Sequence, residues 1–569
     1  MTITKQTTLL TVVFCVALMA ASCTKPSAPP SGPSSTAKQA VPPTGIFGPP
    51  VTATTQITQA DLIATAPLIP SDLYRPADDH AQAAKYAWLE FIALTAPNKP
   101  SPTRGVPGGA FTSVQGGTNS TYPLVFETYQ HRSELFPANA QTGGVSPPQP
   151  WDQTPKYVYN PQPTVPNGVN YTLFNNLDEG SQIFQNHLFF PNANGQPFQV
   201  LFEAKANQME QQYVANNYPL PASNTLYDGD IEVKVAWRPV ASIDPSQLYR
   251  YHVANVITYG GTVDNPVAQN GQYALIALHI IHKTKNYPSF TFATFEQVDQ
   301  FNNQAASPPT PTNVSFLTLY PTPDPNQSPT PLPTPATYQA GSYYFAVDPA
   351  GYSAQPSPSP GTFAATTNPT RVFDLNNPLA WPNGTQTSFT PAPNVSMANQ
   401  MIKVVLPPTS TPEVTSVNQQ VRNLISQLIN QGTLPKDFVW QYYQLTGVQA
   451  VPSSDETTKD YYLANIVVES SQAGIQLFRG GLSPNPSFEP VPNIRNKFNV
   501  NDAASGQKYS MGGCMGCHGA AQAEGGDFSF LLGTGQAGFN VDPIAGTNLE
   551  QAMKNATARR ALIRRSGKY

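Results

Sequence analysis

The run Tyr273-Ala274-Leu275-Ile276-Ala277-Leu278-His279-Ile280-Ile281-His282 constrains the fold more than any other stretch of the chain. A continuous apolar segment of this kind, with no charge and no proline, predicts a strand buried on both faces. Such a strand needs a packed layer above it and another below. Two histidines interrupt the run, three positions apart. Side chains alternate along a strand, so His279 and His282 point to opposite faces.

The stretches around this run predict further strands. Ile231 to Arg238 alternates cleanly, with Ile231, Val233, Val235 and Trp237 on one side and Glu232, Lys234 and Arg238 on the other, after the turn signal Asp228-Gly229. Tyr251 to Tyr259 and Phe290 to Phe295 are further candidates. Helices are expected at the margins. Asp78-Asp79 can cap one that runs to about Leu94, and Ser416 can cap another that ends before Gly432. Phe438 to Tyr443 and Tyr461 to Val468 read as strands or short helices packed on the body.

Proline decides what lies between. Of the chain's 61 prolines, a dense share falls between residues 305 and 412, where missing ladder donors and blocked helix interiors exclude long regular elements. Short strands such as Gly341 to Val347 can still join the sheet. The expected fold class is α+β, a β-rich main body with peripheral helices and a short, mainly helical or irregular C-terminal segment. The expected division has six parts. Residues 1–23 form a lipoprotein-type signal peptide, 24–59 a Pro/Ser/Thr-rich tether, and 60–304 the first part of the body. Residues 305–412 form a proline-rich insertion, 413–500 the helix and strands that complete the body, and 501–569 a segment with its own chemistry.

The N-terminus sets the compartment. A basic start, the apolar run Leu9 to Ala21 and the small residues Ala20-Ala21-Ser22 before Cys23 resemble a lipoprotein signal, with Cys23 acylated; Ala20 stands where such signals favour Leu. An ordinary secretory signal cut nearby is the alternative, and either exports the chain. Thr24 after the cysteine, where Asp would suggest retention in the inner membrane, favours the outer membrane. The localisation expected is periplasmic or cell-surface. A net charge of -4 excludes general nucleic-acid binding, which needs a basic face. Four cysteines are present. With Cys15 removed in the signal and Cys23 acylated, Cys514 and Cys517 are left.

Those two sit in Cys514-Met515-Gly516-Cys517-His518. Two thiols separated by two residues and followed by an imidazole match the spacing that captures haem as a double thioether while the histidine reaches the iron. One covalent haem c is therefore expected, with His518 as an iron ligand. Two alternatives compete. A structural zinc site would have to borrow His279 and His282, and a thioredoxin-like pair would need a βαβ context. The other side of the iron has several candidate occupants: His279, Met553, a different histidine (His252, His187, His131 or His282), or no protein ligand at all. On opposite faces of their strand, His279 and His282 cannot both bind one iron. Asp527 can hydrogen-bond near the haem, and Phe528 and Phe530 can shield it from water, or these are a turn and ordinary core aromatics. The basic tail from Lys554 to Lys568 can dock a partner or simply complement a helix dipole.

The motif Cys-Met-Gly-Cys-His-Gly at 514–519, Asp-Phe-Ser-Phe-Leu-Leu at 527–532, and the upstream Leu278 to Thr284 with Thr294-Phe295-Glu296 together resemble a group of large, exported, single-haem bacterial proteins of the cytochrome c family. The resemblance covers scattered motifs between about residues 80 and 535, and the proline-rich insertion departs from it. It implies covalent haem, iron and electron transfer with a redox partner protein or a small-molecule donor or acceptor, and names no substrate. Two further readings stand beside the electron carrier: a peroxidase-like or oxidase-associated haem enzyme with an open iron, and a surface binding module whose haem is structural or sensory. The oligomeric state is not encoded in any motif.

Overall fold

The computed structural model describes residues 45–74, 80–100, 103–117, 123–137, 145–152, 173–180, 187–191, 197–261, 266–298, 314–319, 343–346, 401–406, 412–450, 514–515, 518, 521 and 526–535. Cys15, Cys23, Asp78-Asp79, Tyr461 to Val468, Cys517, Met553 and the basic tail lie outside the described residues.

The body is built on a sheet of eight strands: β1 (Gln130–His131), β2 (Asn175–Asn176), β3 (Leu201–Ala206), β4 (Ile231–Pro239), β5 (Val253–Gly261), β6 (Pro266–His282), β7 (Thr291–Gln297) and β8 (Tyr443–Gln449). The order is β8-β7-β6-β4-β3-β1, with β5 on the first half of β6 and β2 beside β5. Every pairing is antiparallel except β2 with β5. The helices α1 (Gln59–Ile63), α2 (His80–Leu94), α3 (Gln208–Asn216), α4 (Pro412–Asn430) and α5 (Phe530–Gly535) lie outside the sheet, so the architecture is α+β with a sheet-rich body.

The apolar run occupies the second half of β6, and Tyr273 to His282 are all buried. Its two faces serve different layers. Leu278 and Ile280 join Val233 and Val235 of β4, Ala293 and Phe295 of β7 and Leu445 and Val448 of β8 in one core. Helix α2 fills that core almost all round its circumference, as a helix sandwiched between layers must. Phe91 stacks on Phe295 with ring centres 4.2 Å apart, and Trp88 Nε1 donates to Asn418 Oδ1 of α4 at 2.9 Å.

Two β-bulges fix what the opposite face presents. Leu275 pairs with Trp237 and Ala277 with Ala236, so Ile276 is an extra residue in β6. Thr294 pairs with Gly447 and Phe295 with Leu445, so Thr446 is an extra residue in β8. Each insertion shifts the alternation by one. Tyr273 and Leu275 face the same core as Leu278 and Ile280, and Leu445 faces the same core as Val448. Beyond the bulges His279, Ile281 and Gln449 therefore face the other layer. Glu232, Lys234, Phe292 and Thr294 share that face, because they pair across the strands with Ile281, His279, Gln449 and Gly447.

Several expectations change at the margins. Helix α4 begins at Pro412, whose fixed φ and missing N–H suit a first helical position, so Ser416 lies in the second turn and is not the N-cap. Gly432 follows the helix with φ of 72°, as expected for a stop. Residues 45–59 are folded, although their composition reads as tether: Ile46, Val51 and Ile57 are buried, Phe47–Gly48 pairs with Ile69–Pro70, and a Thr58–Asp61 capping box opens α1. The proline-rich insertion does contribute short strands, but to a second sheet ordered Met401–Leu406, Val314–Leu319, Tyr343–Ala346, His187–Pro191, Pro197–Gln199.

Among the described residues no helix is long and apolar enough to cross a membrane.

Candidate functional site

The C-terminal segment docks on the second face of the sheet. Cys514 and Met515 form part of a helical turn and are buried with Ile281, Phe290, Phe292, Phe528, Leu531 and Leu532. The Met515 amide donates to Gln449 Oε1 at 2.8 Å, which ties the motif to β8 at the residue that the Thr446 bulge turns toward it.

His518 is nearly fully buried and held from three sides. Its Nδ1 donates to the Phe528 carbonyl at 2.7 Å; a carbonyl only accepts, so the proton is on Nδ1 and the ring lone pair on Nε2. Phe530 meets the ring edge-on at 4.8 Å and Phe292 approaches at 4.9 Å. The His279 ring lies 6.0 Å away, centre to centre, with an interplanar angle of 33°. His279 is fixed by its own strand pair: Thr294 is its cross-strand partner, and Thr294 Oγ1 is 2.7 Å from His279 Nδ1. Both imidazoles are therefore anchored through Nδ1.

The turn that supplies the Phe528 carbonyl is strained. Asp527 and Phe528 have φ of 50° and 69°, and Phe290, whose ring packs 6.1 Å from that of Phe528, has φ of 67°. Side chains crowd the backbone in this region, so the conformation persists only where the surroundings enforce it. Here Asp527 Oδ2 accepts from Lys283 Nζ at 2.5 Å and from the Leu226 amide at 2.7 Å. Ser529 then caps α5, its Oγ accepting from the Leu532 amide at 2.9 Å.

The sequence-predicted residues thus separate. Cys514, His518, His279, Phe528 and Phe530 come together. Asp527 belongs to the same turn but bonds to Lys283 rather than reaching the ring. Cys517 and Met553 lie outside the described residues. His282 faces the other layer, with Nδ1 2.5 Å from Glu90 Oε1 and 2.6 Å from the Tyr86 hydroxyl, so one zinc ion cannot join it to His279. His131 bonds Ser133 and Asp178, and His252 bonds Glu127, both inside a buried polar network around Lys205 and Glu203. The side chain of His187 is not among those described. Among the described residues no three His, Cys, Asp or Glu side chains converge on one point.

Phe292 and Gln449 belong to no sequence motif, and Thr294 and Lys283 stand in motifs that give them no role. Their signal is pairing register, since Thr294 and Phe292 belong to the site only once β7 is laid against β6. Comparison of the chain with protein-family models, with curated proteins and with solved structures finds no match in any of the three.

Proposed function

We propose that the chain is an exported, lipid-anchored, monohaem c-type cytochrome that passes single electrons between a redox partner protein, or a small-molecule donor, and another centre. The observation that carries the reading is the His518–His279 pair, with ring centres 6.0 Å apart. Two imidazoles on opposite sides of one metal, each bound at about 2 Å, stand with ring centres roughly 6 Å apart, so the pair suits one iron. Cys514 and Cys517 would carry the thioethers, and His518 and His279 would be the residues that hold the iron. A short, mainly helical C-terminal segment would hold the haem against the sheet. Bound haem supplies a one-electron ferric/ferrous couple.

The chain's own residues do the rest. The Phe528 carbonyl holds the His518 tautomer and makes its Nε2 a stronger donor, as hydrogen bonds to the far nitrogen of metal-bound histidines do. Thr294 orients His279 in the same way. Phe292, Phe528 and Phe530 keep water from the imidazoles and raise the cost of charge there, which raises the potential. Cys23, if acylated, anchors the exported chain, with the outer membrane favoured by Thr24.

The test is spectroscopic. Purified protein should retain haem after denaturation, His518→Ala should lose its axial spectrum, and the native ferrous protein should bind carbon monoxide slowly or not at all, whereas His279→Ala binds it at once. Immediate binding by the native protein would favour the open-iron enzyme instead. Loss of haem on denaturation sinks the covalent reading, and Cys23→Ser should move the protein out of the membrane fraction.

A further inference from the structure

We propose that reduction of the haem is coupled to uptake of one proton by the buried Glu210–Glu232 carboxyl pair. The inference rests on the haem reading of His518 and extends it to a second charge carrier.

The pair lies on the same layer as the site. Helix α3 contributes Glu210, and β4 contributes Glu232, which stands across from Ile281 on the face that carries His279. Asp230 immediately precedes β4, and all three carboxyls are buried. Both oxygens of Glu210, Oδ1 of Asp230 and Oε1 of Glu232 have no hydrogen-bond partner of ordinary geometry. Glu210 and Glu232 instead interact with each other and with Ser529. Two buried carboxyls set against one another cannot both be ionised; they hold a proton between them.

The charges around the pair leave it under-compensated. Lys283 is bonded to Asp527, and Lys234, 26% exposed, to Glu179 at 3.5 Å. Four carboxyls, Glu210, Asp230, Glu232 and Asp527, thus face two ammonium groups, both already engaged. Burial, with Glu232 and Asp230 adding to it, pushes Glu210 well above the usual carboxylate range. Burial pushes Asp230 up despite Lys283, and pushes Glu232 up to about 7.

The connection to the iron ligand is short. Ser529, which touches the pair, directly follows Phe528, whose carbonyl accepts the hydrogen bond from His518 Nδ1. In this water-poor layer a change of charge at the imidazole is felt at the pair. With haem bound, one electron from a one-electron donor would reduce the iron while one proton from bulk water would take the pair from one shared proton and a single negative charge to two protons and no net charge. Oxidation returns both. Ionisation of the pair favours the ferric state, so the potential falls as pH rises.

Spectroelectrochemical titration of the full-length holoprotein tests this. Across neutral pH the native midpoint should fall with rising pH, toward a limit of tenfold in the ferric/ferrous ratio per pH unit, about 59 mV for one electron. Glu210→Gln with Glu232→Gln should flatten the slope. A flat native profile overturns the proposal, as does an unchanged slope in the double variant. A second measurement needs no variant: in protein labelled with carboxyl-carbon-13 glutamate, the reduction-induced infrared difference spectrum should contain an isotope-shifted protonated-carboxyl band. An unshifted band assigns the proton to an aspartate or a haem propionate, and no band at all means no carboxyl takes it up; either overturns the proposal. A chain that retains no haem overturns the cytochrome reading and this inference together, whereas retained haem with a flat profile overturns the inference alone.

Discussion

Phe290, Asp527 and Phe528 are the non-glycine residues with left-handed backbone among those described, and all three meet beside His518. Each such conformation costs about 1–2 kcal/mol, so the surrounding bonds must outweigh several kcal/mol to hold the carbonyl on the imidazole. Lys283 is the chief of them. Asp527→Asn keeps a side chain that tolerates this backbone but leaves a nearly buried ammonium without its counter-ion. It should cost about 3 kcal/mol in urea unfolding and shift the axial spectrum of His518. From sequence alone, His518 was legible because its chemistry is written in adjacent residues. Its segment brought Asp527 to notice, but the bond to Lys283, 244 residues away, has no local signal.

At the scale of the element, β6 is one strand with two duties. Ile280 lies in the core beneath α2, and Ile281 in the cluster that contains Cys514 and Phe528. Ile280→Ala should lower stability by about 3 kcal/mol, measured by urea unfolding, with the haem spectrum unchanged. Ile281→Ala should cost a similar amount and, on the proposed haem reading, also alter the spectrum, because its cavity opens in the cluster that holds Cys514, Met515 and Phe528. The double-sided burial of this strand was readable from its unbroken apolar run, and the opposition of His279 to His282 from their spacing. The bulges were not readable. An extra residue is recognised only against a partner strand, and unbroken alternation from Tyr273 through Leu275 and Ala277 would put His279 into the apolar core. The second sheet escaped for a related reason, since its strands are short and separated by long proline-rich stretches.

For the whole molecule, buried carboxyls with opposite shifts set the pH range of stability. Burial raises Glu232 to about 7 from an ordinary 4.5, so its protonated form favours the fold. That contribution, about 3 kcal/mol, is fully present below pH 4.5 and is lost as pH rises through 7. Glu127 and Asp178 behave in the opposite sense. Burial alone would raise them, but His252 beside Glu127, and Arg132 and His131 beside Asp178, hold both below their usual values. Their contribution is present above the ordinary carboxylate range and lost as pH falls through their depressed values. Thermal unfolding followed against pH should therefore peak near pH 4.5 and decline from there to about pH 7, and Glu232→Gln should flatten that decline while leaving the acid side unchanged.

The distance along the chain between the sheet and its C-terminal cover also has a consequence in time. Lys283 and Asp527, which bond at 2.5 Å, are separated by 244 residues. At a synthesis rate of about 5–20 residues per second, roughly 12–49 s pass between the making of one and the making of the other. Throughout that interval His279, Ile281 and Phe292 belong to a layer whose C-terminal cover does not yet exist. A mature site is thus the last event in the making of the molecule, and any helper protein that shields nascent chains has a sheet face only partly covered, by Tyr213, Val214 and Leu226, to hold until His518 arrives.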